Sequence, residues 1–171
     1  MTAPADNQTT NCAYVLGDDG LATWSDTHAD AWIGLLETHK RLTRALDAEL
    51  EAEHGLTLSG VECLGRLAAA ENRALRLSAL ATATGLSLSR ISRIIDTLES
   101  RGLVERRSCP GDARAVNAVL TDDGLDLVRR AQSSHFASVQ ERFFAHLDAG
   151  EIQTLAAIFA RFAPADGCTV K

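Results

Sequence analysis

Proline is scarce, with three residues in 171, and aromatic residues make up only 5 % of the chain. A sequence so short of helix breakers and of the large aromatics that fill β-rich cores, yet 46 % apolar, reads as a mainly helical protein. No apolar run approaches the roughly 20 residues that a membrane span needs. Met1 to Thr10 has neither a basic start nor an apolar stretch, which predicts no secretory signal and a cytoplasmic protein without a membrane partner. The four cysteines, Cys12, Cys63, Cys109 and Cys168, form no CxxC pair, so neither a zinc knuckle nor a disulfide framework is indicated. The histidines at 28, 39, 54, 135 and 146 show no HxxxH spacing, and no metal site is expected. Nucleophile elbow, Gly-rich phosphate loop and HExxH are all missing, so neither enzyme chemistry nor a cofactor is expected.

Charge is present and unevenly placed. The chain carries a formal −6, but Asn72 to Arg114 holds eight arginines against four acids, a local +4, leaving −10 for the remainder. An acidic body with a basic middle is the electrostatic footprint of a polyanion binder, although solvated arginine faces also occur on ordinary helical proteins.

Apolar periodicity and turn chemistry place the elements. Residues 1–26 lack periodicity and read as a flexible arm with at most one short ordered turn. From Thr27, a candidate N-cap, to His54, the residues Trp32, Leu35, Leu36, His39, Leu42, Leu46 and Leu50 share one helical face, and Gly55 is a stop. Thr57 caps a second helix, 58–70. A minor strand is expected at 74–77, then a short helix capped by Ser78, a break at Gly85, and a helix from the Ser87 cap to Arg101, closed by Gly102. That is the helix-turn-helix pattern. Strands at 103–108 and 114–120 flank the turn Cys109-Pro110-Gly111-Asp112, giving a β-hairpin, or wing. Thr121 caps a long helix to Leu147, and Asp148 with Glu151 forms a capping-box pair opening a last helix to Ala163. The fold class is mainly α with a small β-hairpin.

Plotted at about 100° per residue, the helix 88–101 gathers Leu88, Ile91, Ile94, Ile95 and Leu98 on one side. Ser89, Arg93, Asp96 and Ser100 lie opposite, flanked by Arg90, Ser92 and Thr97. Small residues let a backbone approach base edges, arginine can donate two hydrogen bonds to guanine, and hydroxyls and the helix start suit phosphates. Asp96 repels phosphate, or orients Arg93 three residues away. Arg106, Arg107 and Arg114 flank the wing turn, where guanidinium suits a narrow minor groove, and Asp112 can hold Arg114. The candidate DNA-binding set is Ser87, Ser89, Arg90, Ser92, Arg93, Arg106, Arg107, Asp112 and Arg114.

The run Leu86-Ser-Leu-Ser-Arg-Ile-Ser-Arg-Ile-Ile-Asp-Thr-Leu-Glu-Ser-Arg-Gly-Leu-Val-Glu-Arg-Arg107, followed by Pro110-Gly-Asp-Ala-Arg114 and Leu120-Thr-Asp-Asp-Gly124, resembles the MarR family of bacterial transcription regulators. The resemblance covers the helix order over residues 28–163. It implies a homodimer with interlocking first and last helices and a recognition helix at 88–101 in the major groove of a pseudo-palindromic operator. It assigns wing roles to Asp112 and Arg114, and implies a repressor released by a small ligand, often an aromatic or phenolic anion. The corresponding division is an arm (1–26), a helical dimerisation region (27–56 and 122–163), a winged helix-turn-helix lobe (57–121) and a tail (164–171). The apolar terminal helices agree, since a monomer leaves them poorly covered and a two-fold interface buries them.

The signal is less legible. Trp32, His39 and Arg66 could enclose an aromatic carboxylate effector, while the plainer reading is interface packing with an exposed arginine. Cys12 and Cys109 are accessible candidates for a cysteine-based oxidant-sensing repressor, against the plainer reading of ordinary thiols. A winged helix used only for protein–protein contacts stays open beside both.

Overall fold

The computed structural model describes residues 14–24, 26–109 and 112–162; the side chains of 109 and 112–115 lie outside the description. The elements run β1 (Tyr14–Leu16), β2 (Ala22–Trp24), α1 (Asp26–His54), α2 (Leu58–Ala69), β3 (Ala74–Arg76), α3 (Leu77–Thr84), α4 (Leu88–Ser100), β4 (Val104–Cys109), β5 (Asp112–Leu120), α5 (Asp122–Arg142) and α6 (Ala149–Ala160). The chain divides into two compact units, residues 1–42 and 43–171, and α1 runs through both.

In the first unit, residues 14–24 form an antiparallel hairpin, more order than the short turn expected within the arm, and residues 1–13 of that arm lie outside the described residues. Tyr14 pairs with Trp24 and their rings meet edge to face at 6.2 Å. The turn is closed by Gly17 N donating to Leu21 O (2.8 Å) and by Asp19 Oδ1 accepting from Leu21 N (2.9 Å). Along α1, Trp32, Ile33, Leu35 and Leu36 are all exposed.

The second unit holds the core. Leu64, Leu67, Leu80, Ile91, Ile95 and Val104 are fully buried, so α2, α3, α4 and the sheet converge on one centre. The sheet has the order β3-β5-β4, antiparallel throughout. Several caps take the expected form. Thr57, Ser87 and Thr121 accept from Gly60 N, Arg90 N and Gly124 N, and Asp148 and Glu151 complete a capping box. Several boundaries differ. Helix α1 begins at Asp26, so Thr27 lies inside its first turn; β5 begins at Asp112 rather than 114, and α6 ends at Ala160 rather than Ala163. Strand β3 leads straight into α3, so extended Arg76 is the N-cap and Ser78 lies inside the first turn. Helix α5 ends at Arg142 rather than Leu147, because Phe143 leaves helical geometry (φ −127°, ψ −64°) and a single 3-10 turn, 144–146, follows.

The junction between α4 and the wing is built from the run Leu98 to Val104. Gly102 takes the left-handed conformation (φ 73°), Gly102 N donates to Glu99 O and Leu103 N to Leu98 O. This two-bond helix ending turns the chain into β4. Thr121 then donates through Oγ1 to Gly102 O (2.8 Å) and through its backbone N to Leu103 O (3.2 Å), seating the start of α5 on the same corner.

On the second unit, Phe136 of α5 and Ile158 and Phe159 of α6 are exposed, as is Phe162, and α6 has no buried residue.

Candidate nucleic-acid interface

Helix α4 is the most sharply amphipathic element of the lobe. Ile91, Ile95 and Leu98 are buried, whereas Ser87, Ser89, Arg90 and Arg93 are exposed at its opening turns. Leu88, expected on the apolar side, is 54 % exposed: it is the first helical residue, one turn short of the point where the core closes over the helix. Ser87 Oγ accepts from Arg90 N (3.3 Å) and shares a hydrogen bond with Ser89 Oγ (3.2 Å), so the Ser87 hydroxyl chiefly organises the helix start. Ser87, Arg90, Arg93, Ile94 and Thr97 line an open surface depression.

Asp96 does not orient Arg93. Its Oδ1 accepts from Arg106 Nη1 at 2.5 Å, and Glu99 Oε2 accepts from the same nitrogen at 2.8 Å. Arg106 Nη2 donates to Ser92 O (3.1 Å) and Ser92 Oγ (3.3 Å). The Arg106 side chain therefore lies along α4, three-quarters buried at 23 % exposure. Partial burial disfavours its charge, and the hydrogen bonds to Glu99 and Asp96 outweigh this, raising its pKa above an already high value. Arg107 points elsewhere and pairs with Glu105 at 2.8 Å, both side chains well exposed. Among the described residues, Arg90 and Arg93 are exposed and make no ion pair.

The wing is the β4–β5 hairpin, with Arg106 opposite Ala118 and Arg107 opposite Asn117, and an irregular step between Ser108 and Cys109. The backbone of Asp112 and Arg114 belongs to β5, whereas the side chains of Asp112, Arg114 and Cys109 lie outside the described residues. Cys12 and the tail 164–171 lie outside them as well.

Arg101, which the periodicity reading passed over, has a clear task. Its guanidinium donates to Gly55 O and to His54 O (3.1 Å), closing the C-terminal carbonyls of α1 from the end of α4. Nothing local marks it beyond its place before Gly102. His54 in turn is hydrogen-bonded through Nε2 to Ser134 Oγ on α5 (2.7 Å).

The three effector candidates are placed as follows. Trp32 and His39 are exposed on α1 in the first unit, and Arg66 on α2 in the second unit pairs with Glu62 at 3.4 Å. Cys63 is fully buried, and burial, with Glu62 adding to it, pushes its thiol up to about 11. That thiol is protonated at neutral pH and is no candidate redox sensor.

A family model described as the MarR family matches residues 54–115, from the end of α1 through the wing turn. The transcriptional repressor MprA of Escherichia coli K12 is 32 % identical over 95 residues, which are 56 % of this chain and 49 % of that protein. The chain thus spans about half the length of that relative. Two crystal structures from Streptomyces coelicolor cover more. AbsC, a MarR family transcriptional regulator, is 36 % identical with a TM-score of 0.76, covering 82 % of this chain and 94 % of AbsC. Sco3205, a MarR family transcriptional regulator solved in complex with DNA, is 27 % identical with a TM-score of 0.78, covering 86 % of this chain and 95 % of Sco3205.

Proposed function

Because the chain belongs to the MarR family, we propose that it is a sequence-specific DNA-binding transcription regulator working as a homodimer in the cytoplasm, and not an enzyme. The carrying observation is the opening of α4, where Ser89, Arg90 and Arg93 stand exposed and the two arginines have no acidic partner among the described residues. In this reading α4 enters the major groove, with Arg93 addressing base edges and Arg90 and the Ser87–Ser89 hydroxyls meeting phosphate. Arg107 and Arg114 of the wing approach the flanking minor groove, with Asp112 as their local acid. Residues 57–121 form the reading lobe.

The dimerisation region, 27–56 with 122–163, is supported by its uncovered apolar side chains: Trp32, Ile33, Leu35 and Leu36 on α1, and Phe136, Ile158 and Phe159 on α5 and α6. So much apolar surface is what a two-fold interface removes from water. Two recognition helices then meet half-sites about one DNA turn apart. Repression, with release by a small aromatic or phenolic ligand engaging Trp32, His39 or Arg66, extends the reading; MprA is itself a repressor.

A gel shift with the DNA upstream of the protein's own gene tests the core of this. Sequence-selective binding that weakens steeply with salt is expected, and its absence overturns the regulator reading in favour of a winged helix used for protein contacts. Arg114→Ala is expected to weaken binding to all sequences alike with the dimer intact. Phenolic acids screened for release of bound DNA test the ligand class.

A further inference from the structure

We propose that Arg106 is a positioning residue that fastens the wing to the recognition helix and does not itself contact DNA. The proposal rests on the DNA-binding reading above and reverses the role that the sequence alone suggests for this arginine.

Ser92, Asp96 and Glu99 sit at i, i+4 and i+7 of α4, a single stripe along the helix. Seven residues at about 1.5 Å each make that stripe roughly 10 Å long. Arg106 lies along it. One guanidinium nitrogen bridges the carboxylates of Asp96 and Glu99, the other reaches the carbonyl and hydroxyl of Ser92, and the Arg106 backbone N donates to Glu99 Oε1 at 2.9 Å. A planar fork is suited to this; an ammonium is a single point charge and cannot serve both carboxylates and the carbonyl together. All the acceptors are intramolecular, and they leave little of the fork for phosphate.

Two consequences follow for DNA reading. The root of β4 keeps a fixed place against α4, so the wing tip and the helix reach DNA as one rigid head. The guanidinium also offsets two carboxylates that otherwise stand on a surface meant for a polyanion. The uncovered carboxylates weaken binding to any DNA, whereas the loosened wing harms the cognate site in particular, so loss of Arg106 should lower selectivity as well as affinity.

The test compares wild type, Arg106→Met, Arg106→Lys and Arg107→Met as full chains. The first readout is amide hydrogen exchange of 104–109 and 112–119 in the DNA-free protein. Arg106→Met is expected to lower wing protection about tenfold or more relative to the rest of the lobe, and Arg106→Lys to restore it only partly. The second readout is affinity for the upstream fragment and for a scrambled fragment across a salt series. Arg106→Met is expected to lose selectivity without losing a phosphate contact, whereas Arg107→Met should reduce the salt slope by about 0.9. Unchanged wing protection with a salt slope reduced by about 0.9 in Arg106→Met makes Arg106 a phosphate contact and overturns the proposal. So does unchanged protection with unchanged affinity. If Arg106→Met does not fold, Arg106→Lys decides by the same two readouts, full wing protection in it being the overturning result. If wild type binds no DNA selectively, the regulator reading fails, while the exchange readout on free protein still decides whether Arg106 fastens the wing.

Discussion

Gly124 sits in the first turn of α5, where helix propensity and packing predict opposite signs for one substitution. Alanine is about 1 kcal/mol better than glycine in a helix interior, so propensity alone favours Gly124→Ala. Packing forbids it. A Cβ built on Gly124 falls 2.1 Å from the Leu103 carbonyl oxygen, 2.8 Å from Leu120 Cδ1 and 3.0 Å from the Leu103 carbonyl carbon. Ordinary carbon–oxygen contacts begin near 3.3 Å, so the start of α5 must retreat by roughly 1 Å. The obstacle is backbone held in place: Leu103 N donates to Leu98 O, and Leu103 O accepts from Thr121 N. Overpacking of this kind costs about 1–3 kcal/mol, with rigid backbone at the upper end. Net of propensity, a loss of about 2 kcal/mol is expected, a fall of roughly 4–8 °C in Tm for a chain of this length. Calorimetry and urea unfolding at one fixed protein concentration measure it, since any self-association makes Tm concentration-dependent. A Gly124→Ala protein as stable as wild type would refute the close approach of α5 to the wing corner.

Three further outcomes are expected. Arg93→Ala should relax base preference by about 1–3 kcal/mol at one position of each half-site, measured by competition among single-base variants; equal loss on all sequences would make it a phosphate contact instead. The hydrogen bond from Arg142 holds the Glu49 carboxyl below its ordinary 4.5, and burial holds His135 below its ordinary 6.5. Both folded values are depressed, so both groups contribute stability that is present above their unfolded values and fades as pH falls, from about 6.5 for His135 and from about 4.5 for Glu49. Arg142→Gln should flatten the acid limb below 4.5 and leave the limb near 6.5 alone; urea midpoints against pH that overlay wild type would count against the pairing. With the other three cysteines replaced by serine, Cys63 should resist a small alkylating reagent at pH 8 until the protein is unfolded; rapid reaction in the native state would contradict its burial.

What could be read in the sequence was what local chemistry determines. Ser87, Thr121 and Asp148 cap the helices they were assigned to, because capping is decided within three residues of the cap. Gly102 ends α4 because only a left-handed residue lets the chain turn there into β4. The misses share a different cause. Strands of three residues, Tyr14–Leu16 and Ala22–Trp24, are too short to show an alternating pattern. The end of α5 at Phe143 carries neither Gly nor Pro, so no residue type announced it. Arg101 reaches carbonyls 46 and 47 residues away, a partnership that no helical period encodes.

The same limit sharpens the charge argument. Counting gave the middle of the chain +4, but a count cannot say which cations are free. Arg106 faces Asp96 and Glu99, Arg107 faces Glu105, Arg73 is 2.7 Å from Asp122, and Arg101 is turned onto carbonyls. The first of these is committed within the fold, since most of its side chain is buried, while an exposed pair such as Arg107 with Glu105 is worth little and can re-form on phosphate. Among the described residues of that segment, Arg76, Arg90 and Arg93 make no ion pair and need break none to reach a ligand. Two of these three stand at the N-terminal turns of α4, where the helix dipole adds to their charge. A polyanion is drawn first to the part of the lobe that also carries the small hydroxyls.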